Sequence, residues 1–190
     1  MSHVSIIGSG NMGQALSGLI TKGGHTVELF NSSDADKPVT GDIVVLAVPH
    51  PAVADVIAQR ADQLAGKVVV DITNPVDPDT YAPLTIPEGS VAAQIAAKLP
   101  GAKVVKAFNT TFAGTLVEGA VAGQPLDVFL AGDDEAAKDT LKQLATDGGL
   151  RPIDVGPLAL AHHVEALGYL NMAIQPGLGT NYASAVKVLA

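Results

Sequence analysis

Gly8, Gly10 and Gly13 stand at the spacing G-x-G-x-x-G, with Ser9, Asn11 and Met12 between them. The chemistry served by that spacing is the cradling of a dinucleotide pyrophosphate. The first glycine permits a tight turn out of a strand. The second puts no side chain between backbone and phosphate. The third lets the following helix lie close to the sheet. Glycine-rich turns occur in many settings, so the flanks decide. His3 to Ile7 is a short, mostly apolar run, and Gln14 to Ile20 changes to helical spacing. Strand, turn, then helix is the context the fingerprint requires. The pyrophosphate would then meet the free N–H groups and positive dipole end of a helix starting near Asn11.

The position that ends the second strand selects between the two nicotinamide dinucleotides. An acid there holds the ribose 2′-OH and favours NAD. This chain has Asn31, then Ser32 and Ser33. The missing carboxylate removes the main obstacle to a 2′-phosphate, and the amide and hydroxyls are donors. No arginine lies nearby in sequence; Lys37 is the one near cation, opposed by Asp34 and Asp36. The expectation is NADP, with NAD the weaker alternative. A plain turn with poor selectivity is the bland reading.

Other candidate residues sit at the ends of predicted strands, where ligands bind in open α/β sheets. Val48-Pro49-His50-Pro51, after Ala47, lies at the carboxyl end of the third strand, and His50 either touches the cofactor or a substrate or is a solvated loop histidine. Thr73-Asn74-Pro75 ends the fourth, and Asn109-Thr110-Thr111 follows the fifth. Asparagine amides there can bond a nicotinamide carboxamide or the ring edge of an acceptor. Turn chemistry is the alternative, since Asn-Pro is a common turn signal. His162, His163 and Glu165 begin a late helix without a further ligand at metal-site spacing. No G-x-S-x-G elbow is present, so a serine triad lacks its signature.

The elements that must position these residues alternate. Further strand-like runs are Thr26 to Phe30, Ile43 to Val48, Val68 to Ile72, Lys103 to Phe108, Leu126 to Leu130 and Arg151 to Val155. Several are continuously apolar, as in sheets covered on both faces. Helical stripes lie between many of them: Val53, Val56, Ile57 and Leu64; Val91, Ile95 and Leu99; Ala137, Leu141 and Leu144. This predicts an α/β fold, a doubly wound and mostly parallel sheet of the NAD(P)-binding Rossmann type. Asn31 to Asp42 is near the shortest length for a parallel crossover. It predicts a loop or one helical turn, and an open adenine-ribose pocket. Leu158 to Gln175 predicts a helix stopped by Pro176-Gly177. Thr180 to Ala190 is either a short helix or an extended tail. Residues 1–190 are expected to form a single domain, with 157–190 a short helical extension closing the nicotinamide end.

Composition limits the partners. The chain has 190 residues, 47% of them apolar, with no cysteine or tryptophan and a net charge of −8. The acidic balance argues against nucleic acid or an anionic membrane surface. Disulfide and thiolate chemistry are excluded. No apolar run is long enough to span a membrane. With strand-like sequence from His3 onward, no signal peptide is expected, and a cytoplasmic location fits.

Several stretches together resemble a known family. They are Ile6 to Gly13; Leu46-Ala47-Val48-Pro49; Val104-Val105-Lys106-Ala107-Phe108-Asn109-Thr110; Ala131-Gly132-Asp133-Asp134-Glu135-Ala136; and Gly149 to Leu158. In these the chain resembles the deazaflavin-dependent NADP oxidoreductases. It is also similar to the cytosolic reductase domain of the six-transmembrane epithelial antigen metalloreductases. The resemblance implies hydride transfer between NADPH and a small-molecule acceptor, a flavin or deazaflavin, often in a homodimer. It implies that Ser9 to Met12 bind pyrophosphate and that Asn31 and Ser32 take the 2′-phosphate positions. Pro49, His50 and Val53 would flank the cofactor, and Ala107, Phe108 and Asn109 would border the nicotinamide. The family often has Ser-Arg where this chain has Asn31-Ser32. A non-catalytic redox sensor and an imine reductase of the pyrroline-carboxylate type are the alternatives. The second would need a helical domain that this chain is too short to contain.

Overall fold

The computed structural model describes residues 1–189. β1 (His3–Ile7) leads through the glycine turn into α1 (Asn11–Lys22), then β2 (Thr26–Phe30) and β3 (Ile43–Leu46). α2 (His50–Leu64), β4 (Val68–Asp71), α3 (Val91–Lys98) and β5 (Lys103–Lys106) follow. These strands pair in parallel, with β1 between β2 and β3. The chain therefore turns to one side of β1 for β2 and to the other for β3. That reversal is the topological switch point where open α/β sheets bind ligands.

The full sheet has seven strands in the order β2-β1-β3-β4-β5-β8-β9. After β5 come α4 (Ala113–Glu118) and a small hairpin of β6 (Ala120–Val121) and β7 (Gln124–Pro125). α4 has six residues, roughly 9 Å of rise, too little to carry the chain back across the sheet. β8 (Asp127–Gly132) accordingly starts beyond the carboxyl end of β5 and runs antiparallel to it. α5 (Glu135–Asp147) then returns the chain to β9 (Arg151–Gly156), parallel to β8. Neither α4 nor the hairpin carries a period in the sequence long enough to announce itself.

Alternate residues of each strand feed two cores. Val4 and Ile6 of β1, with Ile43 and Val45 of β3, pack under α1 and α5. Ile7, Val44 and Leu46 point the other way, toward α2 and α3. The segment joining β2 to β3 holds turns and no helix, as its length predicts. The late apolar run departs from the single helix expected. It forms a 3₁₀ turn (Leu158–Leu160), α6 (Ala161–Ala173) and α7 (Gln175–Leu178). Pro176 does not stop a helix; it sits in the first turn of α7, where a missing N–H costs nothing. Among the described residues no helix is long and apolar enough to cross a membrane, and no cluster of residues has the makings of a metal site.

Candidate functional site

The glycines of the turn do different work. Gly8 donates its N–H to the Phe30 carbonyl at 2.9 Å and has φ +119°. A Cβ on it would lie 2.2 Å from the Ala47 carbonyl oxygen, and one on Gly13 would lie 1.8 Å from that of Gly8. Both are required by packing alone. A Cβ on Gly10 would meet nothing within 4 Å. No contact inside the protein calls for a glycine there, whereas a ligand approaching the backbone does. Gly10 also caps α1 without a side chain, so the N–H groups of the first turn are left for a ligand. The residues present therefore fit a pyrophosphate.

Two cavities of about 470 Å³ each open from this turn and share Asn11, Met12, Ile72, Asn74 and Met172. One runs past Ala47, Val48, Pro49 and His50. The other runs past Asn109 and Phe112 to Asn181 and Tyr182 of the carboxyl-terminal tail. His50 Nδ1 and Asn109 Oδ1 are the buried side-chain polar atoms left without a partner among the described residues. Both residues line the cleft, and an orphaned buried acceptor asks for a ligand donor.

The Asn109 end is built from long-range bonds. Asn74 donates its side-chain amide to the Asn109 carbonyl at 2.8 Å. Asn109 donates its own to Asn74 Oδ1 and to the Val164 carbonyl, both at 2.9 Å. α6 closes on this pair because residue 168 is glycine: a Cβ there would lie 2.6 Å from Asn74 Oδ1 and 2.8 Å from Asn109 Nδ2. Beneath the pair lies Lys106, fully buried, which donates to Asp71 Oδ2 at 2.8 Å, to Glu165 Oε1 at 2.9 Å and to the Thr73 carbonyl. Asp71 Oδ1 in turn accepts from the N–H and hydroxyl of Thr73. Burial pushes the Glu165 carboxyl above its ordinary range, against the pull of Lys106 and with the push of Asp71.

The Asn31 end is local and exposed. Asn31 Oδ1 accepts from the N–H and hydroxyl of Ser33, and the Asn31 N–H is donated to Asp34. This commits the carbonyl side of Asn31 and leaves its amide and the Ser32 hydroxyl facing solvent. The structure corrects the expectation that no arginine is near. Arg60 of α2 is buried here and donates to the carbonyls of Lys37 and Asp34. Its guanidinium and the Lys37 ammonium both lie over the Phe30 ring, 5.1 and 4.6 Å from its centre.

Of the residues read from sequence, Gly10, Asn11, Met12, Ala47, Val48, Pro49, His50, Thr73, Asn74 and Asn109 border the cleft. Ser9 lies half-buried beside it, its carbonyl accepting from Gln14. Asn31, Ser32 and Ser33 form the open rim beyond β2. Val53, Ala107 and Phe108, which the family resemblance puts beside the cofactor, have side chains buried in the two cores. Pro75 turns away to a separate groove beside α6, shared with His162 and Glu165. Lys106, Arg60 and Gly168 were invisible as site residues because each acts through a contact distant in sequence. Lys106, a charge between Val104-Val105 and Ala107-Phe108, was the one available signal.

Comparison with known proteins gives the family. The family model described as "NADP oxidoreductase coenzyme F420-dependent" matches residues 34–75. The F420-dependent NADP reductase of Methanocaldococcus jannaschii is 31% identical over 87% of this chain and 74% of its own length. The chain belongs to that family. The F420-dependent NADP reductases are oxidoreductases, and the likeness extends to the rat metalloreductase STEAP3, 33% identical over 86% of this chain. The match covers only 36% of STEAP3, so the chain spans about a third of that protein. A crystal structure from Arthrobacter sp. FB24, for which F420-dependent NADP reductase is the suggested activity, superposes with a TM-score of 0.89. It has 27% identity, and all of both chains is covered.

Proposed function

We propose that the cleft binds NADP(H) and that the enzyme passes hydride between its nicotinamide and a deazaflavin or flavin seated beside it. The observation that carries this reading is the asymmetry of the glycine turn, closed by packing at Gly8 and Gly13 and open to a ligand at Gly10. The dinucleotide supplies the hydride chemistry itself. The protein contributes position and dryness. Backbone N–H groups at the start of α1 take the pyrophosphate. The Asn31 amide, the Ser32 hydroxyl and Lys37 take the 2′-phosphate. Asn109, with an unsatisfied Oδ1, accepts from the carboxamide. Met12, Ile72 and Met172 wall the space beside it. Asn181 and Tyr182, on the far side of that space, make the carboxyl-terminal segment a wall of the acceptor pocket.

Calorimetric titration with NADPH and NADH, then with FMN or a deazaflavin added, tests this. NADPH should bind more tightly than NADH, and the saturated protein should give a further heat with the acceptor. Dinucleotide binding with no response to any flavin would remove the acceptor from this reading, and absence of dinucleotide binding would remove all of it.

A further inference from the structure

We propose that Lys106 is a positioning residue for the nicotinamide end of the cleft. It holds the Asn74–Asn109 amide pair at its working separation without touching the ligand. The proposal rests on the NADP reading of the cleft.

The hydrogen bonds form a closed circuit. Lys106 bonds the Thr73 carbonyl, one residue before Asn74. Asn74 and Asn109 bond each other in both directions. Asn109 bonds the Val164 carbonyl, one residue before Glu165. Glu165 bonds Lys106. The ends of β4 and β5 and the first half of α6 are thereby tied through a single ammonium. Its three protons are all committed. Glu165 Oε1 also accepts from the Val91 N–H at 3.0 Å, which adds the start of α3 to the circuit.

Stability alone is a poor reason for this arrangement. Buried ion groups of this kind are often replaced by apolar side chains without loss of stability. Here one cation serves two carboxyls, both buried, which makes the balance worse. A strained backbone points to geometry as the purpose. Phe108, between Lys106 and Asn109, has φ +61° while fully buried. A residue of this kind holds that conformation only where its surroundings over-determine it. The turn it makes aims the Asn109 side chain back at Asn74. Reactions of bound partners are sensitive to misplacement of about 1 Å, so a fixed amide pair is a functional need.

The test compares two ligands: NADPH, and 2′-phospho-ADP-ribose, which lacks the nicotinamide ring. Lys106→Met should weaken NADPH about tenfold while leaving 2′-phospho-ADP-ribose within about twofold, as expected for loss of order at one end only. Should Lys106→Met fail to fold, Glu165→Leu cuts the same circuit and leaves Lys106 and Asp71 as a balanced pair. Glu165→Gln keeps the Oε1 acceptor and should lie nearer wild type than Glu165→Leu. Equal weakening of both ligands would reduce Lys106 to a structural role and overturn the proposal, as would unchanged binding of both. A wild-type protein that binds 2′-phospho-ADP-ribose as tightly as NADPH would also overturn it. Failure of the wild type to bind either ligand would overturn the cofactor reading first, and the proposal with it.

Discussion

The two ends of the cleft are built on opposite principles. Arg60 of α2 holds the Asn31 end from below, but the rim's own bonds run between residues two or three apart, from Ser33 to Asn31 and from Asn31 to Asp34. The side chains are exposed. At the Asn109 end the bonds that close the circuit join residues 33 to 74 apart, and nearly all the groups are buried. A charged phosphate on an exposed rim would be held by field and by solvated donors. A flat ring that must present one carbon at one angle needs walls that cannot move. The rim can therefore be assembled locally, whereas the ring pocket has to be fixed from several elements at once.

Between them lies the glycine turn, which both ends depend on, and it should show the largest effect. Gly13→Ala forces a Cβ into the backbone carbonyl of Gly8. The expected cost is at least about 3 kcal/mol, measured by urea unfolding, because neither partner is a flexible side chain. Gly10→Ala should leave the same unfolding midpoint unchanged while weakening NADPH about tenfold or more, since its Cβ enters only ligand space. If Gly10→Ala binds NADPH normally, the turn is structural and neither end is a cofactor end.

A second substitution separates the ends. Gly168→Ala drives a methyl toward Asn74 Oδ1 and both the amide and carbonyl of Asn109. Overpacking of this kind costs about 1–3 kcal/mol. It should also impair NADPH binding more than binding of 2′-phospho-ADP-ribose, because α6 packs on α3 and β8, whereas the Asn31 rim follows β2 at the opposite edge of the sheet. Equal losses for the two ligands would mean that the ends are not independent.

The same contrast explains what could be read from the sequence. Strand periods, the glycine spacing and the turn at Asn31 are local patterns, and they led to the mostly parallel sheet and the open rim. Asn74 and Asn109 were legible because both stand at strand ends. Their partnership with each other, with Val164 and with Lys106 was not, since nothing in a linear chain says which distant residues meet. Arg60 was hidden for the same reason: it belongs to a helix face and reaches the Asp34–Lys37 loop only after folding. The reversal at β8 followed from a six-residue helix too short to show a period.

Acid should loosen the wall that the tail gives to the ring end. Asp127, at the start of β8, accepts from Arg151, Lys187 and the Val188 N–H. Burial alone would raise its carboxyl, but the bonds from Arg151, Lys187 and Val188 outweigh burial and hold it at about 2, below the usual 3.8. A depressed carboxyl stabilises the fold above its unfolded value and loses that contribution as pH falls through the folded one. The window is thus from near pH 4 down to about 2, and the full contribution is about 2 kcal/mol. Asp127→Asn should lower the urea midpoint at pH 6 and flatten its fall between pH 4 and 2. Parallel curves for the two proteins would show that this clasp does not tie the tail down.

The smallest effect should come from the open rim. Lys37 forms no ion pair among the described residues and rests on the Phe30 ring at 4.6 Å. Its charge is solvated, so its attraction for a 2′-phosphate is worth less than about 1 kcal/mol and is screened by salt. Lys37→Met should therefore weaken NADPH by about threefold at low ionic strength, with little change for NADH. The difference should fade at 0.5 M salt, on the order of a Debye length of 4 Å. A loss that survives high salt would mean that the phosphate is enclosed here and that the rim is as firmly built as the ring pocket. A loss shared by NADH would move Lys37 from phosphate selection to support of the loop that Arg60 holds from below. Only a small, salt-sensitive and NADPH-specific loss fits an end made to attract, set against one made to orient.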